Sequence, residues 1–126
     1  MPHVAKGLFN VQLAPISAES EAMARMSINK QYAGALVAVG TGQMLTSGVE
    51  EHGSRVYVAL EAVAGKLDGR EGAFILAHRG TMTPGAQNLS IIVVPDSGTG
   101  ELVGLSGEMS IEIKDGVHHY ELSYEL

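Results

Sequence analysis

An all-β fold, a closed antiparallel barrel of eight strands in meander order, is what this 126-residue sequence predicts. Three observations lead there. Sixteen glycines recur at about strand-length intervals between runs rich in Val, Ile, Leu and Thr. Two of the breaks are Asp68-Gly69 and Asp115-Gly116, each between apolar runs, and Asp-Gly supplies the positive φ that a two-residue type I′ hairpin demands. Several segments alternate apolar and polar residues with period two. Eight such strands close by pairing the last with the first, which removes edges that invite aggregation. An open two-sheet sandwich is the alternative.

Val4 to Leu13 reads as the first strand, with Pro15 ending it. Ile16 to Met23 has helix-forming composition and serine caps, but its all-β surroundings make a loop the expected outcome. Ala24 to Tyr32 is the second strand; Met26, Ile28, Lys30 and Tyr32 share its apolar face. The third runs from Gly34 to about Val49, with Gly40 and Gly42 expected to mark a bend or bulge at a barrel corner. A dinucleotide loop is excluded there, because the third glycine and the following helix are missing. After the turn Glu50-Glu51-His52-Gly53 comes the hairpin over 55–82, folded at Asp68-Gly69. Pro84-Gly85-Ala86 is a turn, Leu89 to Val94 the sixth strand, and Pro95 to Gly100 a wide loop. Met109 to Lys114 and Val117 to Leu126 form the last hairpin. Nothing splits the chain, so residues 1–126 are expected to form a single domain.

Composition narrows the function classes. The net charge of -6 and the absence of a Lys/Arg cluster argue against nucleic acid and anionic membranes. No run reaches transmembrane length and no secretory signal core follows Met1, so a cytoplasmic protein is expected. Zero cysteines exclude disulfides, thiol catalysis and Cys-ligated metals. Five scattered histidines show no ligand spacing; no metal or other cofactor is expected. With 45% hydrophobic residues and a mean hydropathy of +0.14, the chain is apolar for a monomer, which points to a homodimer or a lined cavity.

Turn chemistry sets hairpin register, and register sets faces. Placing Lys114 opposite Val117 puts Met109, Ile111, Ile113, His118, Tyr120, Leu122 and Tyr124 on one face, expected to be buried. His118 and His119 then point to opposite sides and form no chelating pair. Placing Leu67 opposite Arg70 pairs Glu61 with Leu76 and Ala59 with His78, which leaves Glu61 and His78 diagonal neighbours on one face, about 7 Å apart at Cα. A carboxylate beside an imidazole among apolar groups suits acid-base chemistry, so Glu61 and His78 are the candidate catalytic pair. The competing expectation is a self-satisfied pair in a core or interface. The hairpin's other face, with Val56, Val58, Leu60, Ala62, Ile75 and Ala77, is apolar as well, which implies burial on both sides: one into the barrel, one against another subunit. Lys30, Tyr57, Tyr120 and Tyr124 are candidate ligand-binding donors around a lumen, together with Tyr32. Otherwise Lys30 snorkels from the barrel mouth and the tyrosines are core residues with hydrated hydroxyls.

Asp96-Ser97-Gly98-Thr99 looks like the motif of aspartic proteases, but the motif occurs once and only a symmetric dimer would pair two Asp96 carboxylates. Ordinary turn chemistry is the favoured explanation, with the Asp accepting backbone hydrogens and a Gly taking positive φ, and a dimeric aspartic-type hydrolase using Asp96 is a remote alternative.

Met26-Ser27-Ile28-Asn29-Lys30-Gln31-Tyr32, Gly80-Thr81-Met82-Thr83, Val94-Pro95-Asp96-Ser97-Gly98-Thr99-Gly100-Glu101-Leu102, Gly104-Leu105-Ser106-Gly107 and Asp115-Gly116-Val117-His118-His119-Tyr120 together resemble the bacterial domain-of-unknown-function 3224 family. The resemblance spans nearly the whole chain. It implies an eight-stranded meander barrel similar to allene oxide cyclase, and it carries no catalytic residue across. The function expected is therefore the binding of a small, mostly apolar molecule in the lumen, with isomerase- or cyclase-type chemistry as an extension. A non-enzymatic interaction barrel with a packed lumen is the alternative.

Overall fold

The computed structural model describes residues 2–126. Its strands are β1 (His3–Ile16), β2 (Ala24–Gly34), β3 (Leu36–Val49), β4 (Ser54–Leu67), β5 (Arg70–Thr83), β6 (Ala86–Val93), the two-residue β7 (Thr99–Gly100), β8 (Ser106–Lys114) and β9 (Val117–Glu125). One 3-10 turn, Glu50–His52, joins β3 to β4. Each long strand pairs antiparallel with the next, and β9 returns to β1 with Leu122 opposite Ala5, so eight strands close into a barrel. Among the described residues no helix is long and apolar enough to cross a membrane.

Both Asp-Gly turns form as the sequence predicts. Asp68 and Gly69 take φ of 48° and 83°, Asp115 and Gly116 of 52° and 77°. The registers follow: Leu67 faces Arg70, Ala59 faces His78, and Lys114 faces Val117. Alternation then decides which side is inside. Ala59, Glu61, Val63, Phe74, Leu76 and His78 point into the barrel, while Val58, Leu60 and Ile75 stay exposed.

One barrel end is shut by the segment between β6 and β8. Its Leu102 and Leu105 are buried with Leu36, Leu67 and Leu122 in the main core. Tyr120 closes the same end, donating to the carbonyl of Ala33 at 2.8 Å and accepting from the amide of Leu36 at 2.9 Å. The Asp96 motif belongs to this closure. Ser97 Oγ accepts from the amide of Ile75 at 3.1 Å and Thr99 Oγ1 from that of Ala73 at 3.2 Å, while Asp96 is exposed at φ 63°. In this chain the motif forms a structural turn, as ordinary turn chemistry predicts.

Three expectations need correction. β1 runs through Pro15 to Ile16; beyond Phe9 it pairs with β2 alone, so this stretch is a sheet edge, where a residue without an N–H fits. Gly40 and Gly42 form no bulge, because the registers with β2 and β4 pass through them unbroken. They make room: a Cβ at Gly40 would lie 2.1 Å from Glu61 Oε2, and one at Gly42 would lie 2.0 Å from the carbonyl of Leu60. Ile113 is exposed, since β8 and β9 extend past the core at their shared turn.

Candidate functional site

The interior is apolar except at one level. There Glu61 on β4, fully buried, meets Lys30 and Tyr32 from β2 and His78 from β5. Side-chain alternation brings the two β2 residues inward together, and the hairpin diagonal brings His78 beside Glu61. Lys30 Nζ lies 3.0 Å and His78 Nε2 2.9 Å from Glu61 Oε1, and the Tyr32 hydroxyl donates to Oε2. The absent side chain at Gly40 provides the volume that the carboxylate fills. Lys30 also lies 4.7 Å from the centroid of the Phe9 ring, so its cation is bounded by one anion and one π face.

The electrostatics are self-contained. Burial by itself would raise the Glu61 pKa, but the hydrogen bond from His78, the charge of Lys30 and the bond from Tyr32 outweigh it and hold the carboxyl below its usual range. Glu61 is therefore ionised at neutral pH and balanced by Lys30. With Oε1 accepting, His78 Nε2 has to carry a proton. Burial first, then the neighbouring charge of Glu61, pushes the Tyr32 phenol far above its ordinary value, which keeps it a donor.

What such a group can do follows from its surroundings. A general base needs a lone pair directed at a substrate and space for that substrate. Three internal donors occupy the Glu61 oxygens, and none of the five cavities identified among the described residues is walled by Lys30, Tyr32 or Glu61. The pairing of Glu61 with His78 that the sequence predicts is present. The expected snorkelling of Lys30 is not, because a buried carboxylate offers the ammonium a better partner than distant solvent. Three of the tyrosine hydroxyls bond to the protein: Tyr32 donates to Glu61, Tyr120 to the carbonyl of Ala33 near the end of β2, and Tyr124 to Asp68 at the closed end. Tyr57 sits toward the other end, packed on Gly80 and lining a cleft of about 120 Å³. The four donors Lys30, Tyr57, Tyr120 and Tyr124 thus surround no common space.

The largest of these five cavities, about 830 Å³, lies outside the barrel wall. The segment between β1 and β2 stands over β3, β4 and β5, held by Ser47 Oγ donating to the carbonyl of Ala22 at 2.7 Å. Ala18 and Met23 form one side of the groove; the outward side chains Leu45, Val58, Leu60 and Ala77 form its floor. His78 also borders it, from the far side of the wall it shares with Glu61. Arg25, at the start of β2, lines the groove with its Nε buried and without a hydrogen-bond partner. Sequence reasoning passed over Arg25, which occupies the polar face of an alternating strand. Only the path of the 17–23 segment, which no local pattern fixes, makes that face a groove wall.

A model of a family of proteins of unknown function, DUF3224, matches residues 5–124. A crystal structure at 1.84 Å of a DUF3224 protein of unknown function from Shewanella oneidensis MR-1 is 42% identical in sequence and superposes with a TM-score of 0.95. The match covers 100% of this chain and 98% of that one. No curated protein matches.

Proposed function

The chain belongs to the DUF3224 family, whose name leaves activity open, and on that premise we propose that it is a non-catalytic binding barrel that takes an apolar small molecule in the groove on its outer wall. The carrying observation is the contrast between a carboxylate with every partner supplied internally and an apolar groove of about 830 Å³ outside, within the roughly 300–1,000 Å³ usual for ligand sites. Glu61, Lys30, Tyr32 and His78 then serve as a structural cross-link of β2, β4 and β5.

Calorimetry with 1-decanol tests this reading. The wild type binds, and Leu60→Asp, at a position 61% exposed and so compatible with folding, abolishes binding. Retention of binding by Leu60→Asp would return the site to the lumen.

A second reading has its own observation. The apolar surface continues past the groove to Val39, Ile75 and Ile92, which are exposed on neighbouring strands. A second copy seated there would form the homodimer expected from composition. Native mass spectrometry separates the two: in the dimer reading the wild type is dimeric and Ile75→Asp makes it monomeric.

A further inference from the structure

We propose that the groove selects an amphipathic acid, an apolar chain ending in one carboxylate, and that Arg25 binds its head group. This rests on the binding reading above and adds to it the chemical class of the ligand.

The Arg25 side chain makes no hydrogen bond and no ion pair among the described residues, and its Nε is shut off from water with no acceptor. An unneutralised guanidinium against an apolar surface is costly, and the groove that Arg25 lines is the space from which an acceptor for its accessible end would come. The two Nη groups of Arg25 are not shut off with Nε, and side by side they match the two oxygens of a carboxylate. The remaining groove offers little competition. Its polar side chains besides Arg25 are Glu19, Ser20, Gln43 and His78; Glu19 is exposed and unpaired with Arg25, and His78 faces Glu61. Leu45, Val58, Leu60, Ala77, Ala18 and Met23 supply an apolar bed for the chain.

Position favours one acid over a multiply charged ligand. Among the described residues that line the groove Arg25 is the single Lys or Arg, Glu19 stands on the same rim, and the protein as a whole carries -6. A second negative charge would find no partner and would be repelled. Affinity therefore comes from chain burial, and selection for the acid from one charge-assisted pair.

The test compares decanoate with 1-decanol by calorimetry at pH 8, on the full chain and on Arg25→Met, which keeps an unbranched apolar stem and removes the charge. Decanoate is expected to bind the wild type about tenfold or more tightly than 1-decanol, and Arg25→Met to erase that preference while leaving 1-decanol within about twofold. Raising the salt should shrink the preference in the wild type alone. Equal binding of the two probes, unchanged in Arg25→Met, would overturn the role of Arg25 and leave the apolar groove standing. Binding of neither probe would overturn the groove itself, and with it this inference.

Discussion

Two cations on β2, five residues apart and therefore on opposite faces, meet opposite fates. Lys30 points inward and is fully partnered, by Glu61 at 3.0 Å and by the Phe9 ring. Arg25 points outward onto an apolar groove and has no partner among the described residues. Evolved interiors satisfy their polar groups because an orphan there is costly at all times. An orphan at a groove is tolerable when something outside completes it. The comparison teaches where to look for function in this barrel: not at the most conspicuous charged cluster, whose needs are met, but at the polar group whose needs are not.

The largest expected effect breaks the satisfied side. Glu61→Ala leaves Lys30 buried without its anion and should cost about 3–5 kcal/mol, seen as a drop in Tm of about 10 °C or more. If the cluster is structural, replacing it as a unit should undo most of that loss. Lys30→Met, Tyr32→Phe, Glu61→Leu and His78→Leu combined should be clearly more stable than Glu61→Ala by denaturant melts, since no polar group is left orphaned.

Gly40→Ala comes next. Its Cβ would fall 2.1 Å from Glu61 Oε2, so the carboxylate has to leave its donors, at a cost of about 1–3 kcal/mol by the same melts. In the Glu61→Ala background the clash is gone and the substitution should be nearly neutral. A full cost in both backgrounds would mean that Gly40 is needed for the backbone and not for the carboxylate.

Acid titration is the third test. The folded-state pKa of Glu61 is depressed, so its contribution is present above the unfolded carboxylate value of about 4.3 and is lost as pH falls through the lower folded value. Stability of the wild type should decline across that acidic window, and Glu61→Gln should flatten the decline. Identical slopes would mean that Glu61 is solvated.

The smallest effect belongs to the unsatisfied side. Arg25→Met should leave stability within about 0.5 kcal/mol of wild type, or raise it slightly, because no internal bond is broken. A large loss would show that Arg25 is a structural residue.

How much of this was legible in the sequence follows from the range of each determinant. Turn residues and period-two alternation are local, so the eight strands, both Asp-Gly hairpins and the diagonal of Glu61 and His78 could be read directly. Which face of the hairpin lies inside is decided by closure of β9 onto β1, a contact between chain ends that no local pattern encodes. The bond from Tyr32 to Glu61 and the pairing of Lys30 depended on the registers of β2, β3 and β4, joined by loops without a diagnostic turn. One signal was available: Gly40, opposite Lys30 on the inward face, marks a missing side chain where another must fit. Arg25 was hidden by its ordinary place on a polar face, and the groove by the segment that folds over it.

The most direct test is to map decanoate on the folded protein by amide chemical-shift titration. The groove account predicts shifts concentrated at residues 18–25, Leu45, Val58, Leu60 and Ala77, with Phe9, Tyr32 and Leu36 unmoved. Shifts centred on Phe9, Tyr32 and Glu61, with the outer wall silent, would contradict it and place the ligand inside the barrel.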